Sequence, residues 1–376
     1  MELRDYQIDL VESVWRKLFE KNKVLVVAPC GAGKTECFIA LCKRAIESKS
    51  DIKILILLNK VDLVEQTARR VAKVISDVGV ICSTLDSFDE KQVTVASIQT
   101  VSMVNFGKIN LIIADEAHNF SDNEGSYYDV FLKKNNHDRL KLVGFTATPY
   151  RPTGFLYGKD KLFDCIDHEV TLQELFNKHY LVESKMKSSA VEFDTKKIKI
   201  TAGEFDNKQV AELTENVKTV NVQVSDALPR LINRNKIAWA CATIRHAELI
   251  ESELKRVNEL VSIVHSKQQR DLQERQRMEF EHGDNRHLVF VSMLSEGIDI
   301  PKIDALCFLR PTRSVVRYIQ TVGRALRPFE GKDDALILDY GQVVKNCGPL
   351  TKPFVFEKGQ KRTEEELMKV CKCCAE

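Results

Sequence analysis

Two short segments of this sequence carry side chains suited to phosphate and metal chemistry. The first, APCGAGKT, spans residues 28–35, and the second, DEAH, spans residues 115–118. Each follows an apolar run, 24–27 or 111–114, that is typical of a buried parallel strand. A glycine-containing turn between a strand and a helix points several backbone N–H groups at one place, where they bind phosphate. The sequence therefore predicts a phosphate-binding loop served by two carboxylates.

The residues of these segments have expected roles in that chemistry. Lys34 supplies positive charge to the phosphates, and the Thr35 hydroxyl is a Mg²⁺ ligand. Asp115 is expected to hold Mg²⁺ through water, and Glu116 to polarise the attacking water, with a structural or Mg²⁺-supporting role as the alternative for Glu116. The other predicted phosphate-binding residues of the loop are Pro29, Cys30, Gly31, Ala32 and Gly33.

Strand and helix patterns alternate along most of the 376 residues, which favours an α/β fold with parallel sheets covered by helices. Strands are predicted at 24–28, 53–58, 93–97, 111–114, 140–145, 237–242, 261–264, 287–292, 305–309 and 335–338. Predicted helices include 34–48, 61–75 and one that Thr243 caps and that carries Ile250, Leu254 and Val257 on one face. We expect two domains, 1–165 and 166–345, followed by a tail at 346–376.

Charge and composition narrow the class of protein. The net charge is +2, so any basic surface for a polyanion must be local. No apolar run is long enough to span a membrane, and MELRDYQIDL does not resemble a signal peptide. Eleven cysteines, an odd number, favour a reducing compartment. We expect a cytoplasmic protein, bacterial or encoded by a phage and acting in the host cytoplasm, with no membrane partner.

A series of further motifs resembles superfamily 2 helicases and translocases, and is most similar to the RadD-like group of bacterial and phage DNA-repair helicases. The resemblance covers residues 3–342. The matching segments are RDYQ at 4–7, TVASIQT at 94–100, GFTATP at 144–149, VSMLSEGIDIP at 291–301, RPTRS at 310–314, Tyr318, Gln320, GRALR at 323–327 and LDY at 338–340. Each motif is weak by itself, but their order and spacing are specific.

The resemblance implies two tandem RecA-like domains with a nucleotide site in the cleft between them, and ATP with Mg²⁺ as cofactors. Arg4 and Gln7 would bind the adenine, because a glutamine amide offers donor and acceptor together. Gly297 and Asp299 would bind the nucleotide from the second domain.

Three residues near the end of the second domain would complete the catalytic set. Arg324 and Arg327 are three positions apart and are therefore expected on one helical face, close to Gln320. They would reach the phosphates only when the domains close, and would then act as arginine fingers. A solvated basic helix end is the alternative interpretation.

The resemblance also implies residues for coupling and for nucleic-acid binding. His118, Thr146 and Thr148 would sense the γ-phosphate, and strand-end capping is the alternative role. Binding that is neutral to sequence needs amides, hydroxyls and cations on the phosphate backbone. The candidate contacts, each of which could equally be an ordinary loop residue, are Asn59, Thr94, Gln99, Thr100, His265, Ser266 and Ser292.

The last residues include Cys371 and Cys374 in C-x-x-C spacing. RadD-like proteins carry a zinc-ribbon-like segment after the helicase core, and half a ribbon cannot complete a four-ligand site. We therefore expect the chain to be truncated inside a zinc module and to bind no stoichiometric zinc. A native end with unpaired thiols is the alternative.

These expectations describe an ATP-dependent DNA helicase or translocase in repair, recombination or replication. Its partners would be single-stranded or branched DNA and, as candidates, single-strand-binding or repair proteins, and the chain would be a monomer. The alternatives are an RNA helicase, a restriction-type translocase on double-stranded DNA without strand separation, and a non-hydrolysing ATP-gated clamp. The GRALR motif and DEAH in place of DEAD favour DNA, and Glu116 with the two arginines argues against the clamp.

Overall fold

A computed structural model describes residues 2–353 except 121–123, 136, 138, 152–153, 190–192, 194, 202 and 292–299. The chain divides into two compact units, Met1–Thr171 and Leu172–Glu376. This division lies later than the predicted boundary after residue 165. The reason is a strand, Cys165–Glu169, that pairs in parallel with Lys23–Val27 of the first unit.

The first unit contains an eight-stranded sheet in which seven strands are parallel and one short edge strand is antiparallel. Its strands are β1 Lys23–Val27, β2 Ile54–Leu58, β3 Val78–Cys82, β4 Ser87–Phe88, β5 Val93–Ser97, β6 Leu111–Asp115, β7 Lys141–Thr146 and β10 Cys165–Glu169. The order across the sheet is β10-β1-β7-β6-β2-β5-β3-β4. A separate small hairpin consists of β8 Tyr150–Arg151 and β9 Gly154–Phe155.

Helices cover this sheet because each presents an apolar stripe to it. The described helices are α1 Asp5–Glu20, α2 Lys34–Ser48, α3 Val61–Ala72, α4 Ile98–Val101 and α5 Tyr127–Asn135, with 3₁₀ turns at Ser83–Leu85 and Ala117–Asn119. In α1 the buried residues Leu10, Val14 and Leu18 recur at the helical period. A close approach in the core requires Gly144 in β7, since a Cβ there would lie 2.2 Å from the Phe163 ring.

The second unit contains a six-stranded parallel sheet with its own core. Its strands are β11 Glu183–Ser188, β14 Ile237–Cys241, β15 Val261–Val264, β16 His287–Val291, β17 Ala305–Phe308 and β18 Asp334–Asp339, and β12 Ile200–Thr201 pairs with β13 Glu204–Phe205 in a hairpin. The sheet order is β11-β18-β17-β14-β16-β15. Strand β11 was not predicted, because ESKMKS at this sheet edge has no apolar run.

The described helices of the second unit include the one predicted from its cap. They are α6 Leu172–Asn177, α7 Asn207–Thr214, α8 Val217–Arg230, α9 Ile244–Arg256, α10 Arg270–His282, α11 Val315–Ala325 and α12 Val343–Cys347, with a 3₁₀ turn at Thr195–Lys197. The Thr243 hydroxyl accepts the His246 N–H at 3.0 Å, which confirms the cap. Ile250 and Leu254 are buried, but Val257 is 37% exposed because α9 ends before it.

Helix α12 also corrects the predicted start of the tail at residue 346. It runs across that position, and its Asn346 and Cys347 are buried in the second unit. Cys371 and Cys374 lie outside the described residues, so the zinc prediction remains a prediction. Among the described helices, none is both long and apolar enough to cross a bilayer.

In both sheets the predicted site residues lie mostly in the loops that follow the carboxyl ends of parallel strands. This edge is where ligands bind in open α/β sheets. The segments after β1, β2, β5, β6 and β7 carry most candidates of the first unit, although Arg4 and Gln7 precede β1 and Thr94 lies within β5. In the second unit, the segments after β15 and β17 carry the described candidates.

Candidate active site

The phosphate-binding loop joins β1 to α2, as predicted. The Ala28 N–H donates to the Thr146 carbonyl at 2.9 Å, which fixes the point where the loop leaves the sheet. Gly31 and Gly33 have φ of 85° and 74°, a left-handed conformation that glycine adopts without steric cost. Helix α2 begins at Lys34, and its N-cap Gly33 supplies no side-chain acceptor. The first N–H groups of α2 can therefore bind an anion.

Helix α1 holds this loop through two adjacent side chains. The Tyr6 hydroxyl donates to the Ala32 carbonyl at 2.5 Å, and Gln7 Nε2 donates to the same carbonyl at 3.0 Å. Gln7 Oε1 accepts the Arg4 N–H at 2.9 Å. A Cβ at Gly33 would lie 2.4 Å from Gln7 Nε2, so a side chain there would displace the Gln7 amide in addition to straining the left-handed backbone. The loop is thus tied to the segment predicted to bind adenine.

The Lys34 ammonium lies between the phosphate loop and the two carboxylates after β6. It is 3.4 Å from Glu116 Oε1 and 3.4 Å from the Ala28 carbonyl, with only 9% of its side chain exposed. Burial disfavours its charge, but Glu116, Cys30 and Asp115 together raise the Lys34 pKa above its ordinary value. The ammonium therefore stays charged, as phosphate binding requires.

Asp115 and Glu116 form an adjacent pair of half-buried carboxylates. Burial first, and then the charge of Glu116, raise the pKa of Asp115, while Lys34 opposes the shift. A carboxylate so poorly compensated suits a divalent cation, which would lower that pKa; Asp115 and the Thr35 hydroxyl are the oxygen donors that would hold Mg²⁺. Glu116 has φ of 48°, a rare conformation for a non-glycine residue and one that clusters at functional sites.

The three residues predicted for coupling lie together. The Thr146 hydroxyl donates to the Thr148 carbonyl and accepts the Thr148 N–H, each at 3.0 Å. His118 Nδ1 lies 2.9 Å from the same hydroxyl and shares a hydrogen bond with it. The same Nδ1 lies 3.4 Å from Glu116 Oε2. A hydrogen-bonded path thus leads from the DEAH segment to the end of β7.

Two arginines of the first unit that the motifs did not single out support this site. Arg151 donates to the His118 carbonyl at 2.8 Å and to the Phe120 carbonyl, so it holds the turn that follows DEAH. Arg70 of α3 pairs with Glu36, the residue after Thr35, and its charge helps to lower the pKa of Asp115. Neither arginine has a local sequence signature, because its partners lie far away along the chain.

The nucleic-acid candidates of the first unit fall into two groups. Asn59 and Gln99 lie together after β2 and β5, with Gln99 Nε2 donating to the Asn59 carbonyl at 3.3 Å. Thr94 and Thr100 are only 2% and 3% exposed, and their hydroxyls already bond Lys91 in one case and Ser83 and Ser97 in the other. The burial of both hydroxyls argues against direct contact, so we remove these two from the interface.

The candidates of the second unit are partly described. His265 and Ser266 follow β15, and Ser266 is exposed. Gln320 is buried within α11, and Arg324 lies in its last turn. Arg327 lies beyond the helix end, so the prediction that both arginines share one helical face was wrong. Ser292, Gly297 and Asp299 lie outside the described residues.

Comparisons with known proteins match a different family model to each of the two units. Residues 1–151 match the family model of the res subunit of type III restriction enzymes, and residues 223–328 match the helicase conserved C-terminal domain. The candidate ATP-dependent helicase IRC3 of Saccharomyces cerevisiae is 26% identical over 359 residues, or 90% of this chain and 51% of IRC3. The DNA 3'-5' translocase XPB2 of Sulfurisphaera tokodaii is 25% identical over 376 residues, or 90% of this chain and 81% of XPB2.

These two matches and the helicase relatives support assignment of the chain to helicase superfamily 2. A solved structure of the type ISP restriction-modification enzyme LlaBIII bound to DNA has a TM-score of 0.68 and 20% identity, covering 90% of this chain and 27% of that one. That likeness confirms the predicted α/β fold of tandem RecA-like domains. The chain spans about half the length of IRC3.

The contact between α1 and the phosphate loop yields a first test on this helicase. Tyr6→Phe removes a donor to the Ala32 carbonyl while keeping the ring buried. Burial raises the Tyr6 pKa, so the hydroxyl is a neutral donor at pH 7. We expect about 1 kcal/mol less stability in urea unfolding. We also expect a severalfold higher KM for ATP, because the loop loses one of its two anchors.

The matched control is Tyr127→Phe, which removes a hydroxyl from a residue that is 52% exposed. It should change neither stability nor KM. An unchanged KM for Tyr6→Phe would show that Gln7 alone is sufficient to hold the loop.

Proposed function

We propose that this helicase hydrolyses ATP in response to DNA and moves along single-stranded or branched DNA in repair, recombination or replication, as the RadD-like group does. The observation that carries the ATPase part is the Lys34–Glu116 contact at 3.4 Å beside the half-buried Asp115. The contact brings together the side chains that we propose as the phosphate-binding cation, the Mg²⁺ ligand and the base. Positioning and charge stabilisation of this kind are the main sources of catalysis in phosphoryl transfer.

The DNA part is supported by the relatives and by the chemistry of the remaining contact candidates. XPB2 is named as a DNA translocase, and the LlaBIII structure contains DNA. Asn59, Gln99, His265 and Ser266 offer amides, a hydroxyl and an imidazole, which can form hydrogen bonds with the oxygens of a phosphate backbone. The described cysteines are free thiols, which suits the reducing compartment that we propose for this chain.

The test is the ATPase rate with single-stranded DNA, forked DNA, a Holliday junction and RNA compared side by side. We expect DNA to stimulate hydrolysis more than RNA. Binding should weaken steeply with added salt and should be almost indifferent to base sequence, because phosphate contacts dominate such binding. Stimulation by RNA alone would support an RNA helicase instead.

A second candidate is a translocase that moves on double-stranded DNA without separating the strands. The match of residues 1–151 to a restriction-enzyme subunit favours it. Displacement of a third strand from a triplex reports translocation, whereas release of a labelled strand from a fork reports unwinding. Triplex displacement without fork unwinding would favour this candidate.

A further inference from the structure

The side chain of Lys332 binds three backbone carbonyls within the second unit. Its ammonium lies 2.7 Å from the Ala325 carbonyl, 2.7 Å from the Arg327 carbonyl and 3.0 Å from the Pro301 carbonyl. An ammonium has three N–H groups, so these three contacts use all of them. One side chain thus joins the end of α11, the candidate finger and the last residue of the VSMLSEGIDIP segment.

A tight turn brings Lys332 back to this position. The Lys332 N–H donates to the Phe329 carbonyl at 3.0 Å, and Gly331 has φ of 76°. The chain therefore reverses between Arg327 and β18. The last carbonyls of a helix have no partner within the helix and carry its negative dipole end, so a cation is favoured beside Ala325.

The charge of Lys332 is costly where it lies. Burial lowers its pKa to about 8, with Asp304 opposing that shift and Arg327 and Arg234 adding to it. An apolar side chain of similar length would fill the same space without desolvating a charge. The ammonium, unlike an apolar side chain, holds three backbone carbonyls together.

Arg327 needs such an anchor because α11 ends before it. The helix covers Val315–Ala325, and Leu326 is its C-cap, so the backbone of Arg327 is not held by regular helical hydrogen bonds. Displacing a reacting group by about 1 Å can reduce the rate of catalysis about 100-fold. The position of this backbone therefore matters for a side chain that must meet a developing charge.

We propose that Lys332 is a positioning residue for Arg327, holding the backbone that carries this candidate arginine finger. This inference rests on the proposed ATPase function and on the expectation that Arg327 acts as its arginine finger. Lys332 itself touches neither nucleotide nor nucleic acid in this role. Its loss should slow hydrolysis and leave substrate binding nearly intact.

The main test is Lys332→Met in the full chain, measured at saturating ATP and DNA. We expect kcat to fall by about 10- to 100-fold. The KM for ATP and the affinity for DNA should change by less than about threefold, because the contact acts mainly in the transition state. Parent kcat in a folded Lys332→Met protein would overturn the proposal.

Lys302→Met is the matched control. Lys302 also donates to a backbone carbonyl, that of Glu281 at 2.8 Å, and lies 5.5 Å from the Phe329 ring centroid. This variant removes an equal charge from the same region without touching the carbonyls of Ala325 or Arg327. Its kcat should equal that of the parent, and a loss as large as that of Lys332→Met would overturn the proposal.

Lys332→Arg keeps the charge if the methionine variant folds poorly. A planar guanidinium cannot match three converging carbonyls as an ammonium does. We expect this variant to fold and to remain slow, and full activity would show that charge alone is sufficient.

A double variant distinguishes a positioning effect on Arg327 from a general weakening of the second unit. If Lys332 acts through Arg327, Arg327→Ala with Lys332→Met should be no slower than Arg327→Ala alone. If the double variant instead shows the product of the two single losses in rate, the proposal is overturned. Full activity of Arg327→Ala by itself would instead contradict the finger in the proposed function, so the two failures are distinguishable.

Discussion

Glu116→Gln is expected to bind ATP with nearly parent affinity and to hydrolyse it about 10²- to 10⁴-fold more slowly, the usual contribution of a general base. Its carboxylate is 3.4 Å from Lys34 Nζ and lies next to Asp115, so the amide would keep the shape of the site without its base. The measurement is single-turnover hydrolysis with DNA present, together with equilibrium binding of ATP. Hydrolysis at the parent rate would rule out Glu116 as the base.

Two further variants complete that experiment. Lys34→Ala should remove nucleotide binding itself, because it deletes the cation of the phosphate loop and leaves two half-buried carboxylates uncompensated. Glu20→Gln is the control, since Glu20 forms an exposed pair with Lys17 at 2.8 Å, outside the site. It should leave both binding and hydrolysis unchanged.

Arg327→Ala is expected to reduce the ATPase rate by about 10³-fold or more, the scale of arginine-finger losses. ATP affinity should change much less, because a finger acts mainly on charge that develops in the transition state. Arg324→Ala should behave similarly or more mildly. The measurement is kcat and ATP affinity for each variant at saturating DNA.

Arg245→Ala is the matched control for the finger. Arg245 forms an exposed pair with Glu248 at 3.4 Å in the same unit, and its loss should be silent. If all three arginine variants hydrolyse ATP as the parent does, Arg324 and Arg327 are only a basic surface.

The fold was largely predictable because parallel strands buried on both faces have continuous apolar sequences. Strand β5 and helix α2 were predicted to the residue, and the Thr243 cap was confirmed. The predictions failed where the apolar pattern of a strand is weak. Strand β11 lies at an edge and is polar, and β10 lies in a region without clear periodicity, which also displaced the domain boundary.

The candidate site likewise contains residues that the sequence could predict and residues that it could not. Lys34, Asp115 and Glu116 were predictable because each directly follows a buried strand or a glycine turn, so their local sequence determines their position. The burial of Thr94 and Thr100 was not predictable, since the motif defines their place on the chain but not how exposed their side chains are.

The sequence alone determined the two-domain α/β fold, the phosphate loop and the carboxylate pair, because local patterns of apolar, glycine and charged residues encode them. Only the tertiary structure decided which side chains hold these parts in place. Tyr6, Arg151 and Lys332 act on carbonyls of Ala32, His118 and Arg327, respectively. Because every residue has a backbone carbonyl, the sequence does not show which carbonyl will accept a hydrogen bond from a given side chain. The donor and the acceptor can be paired only in the folded structure.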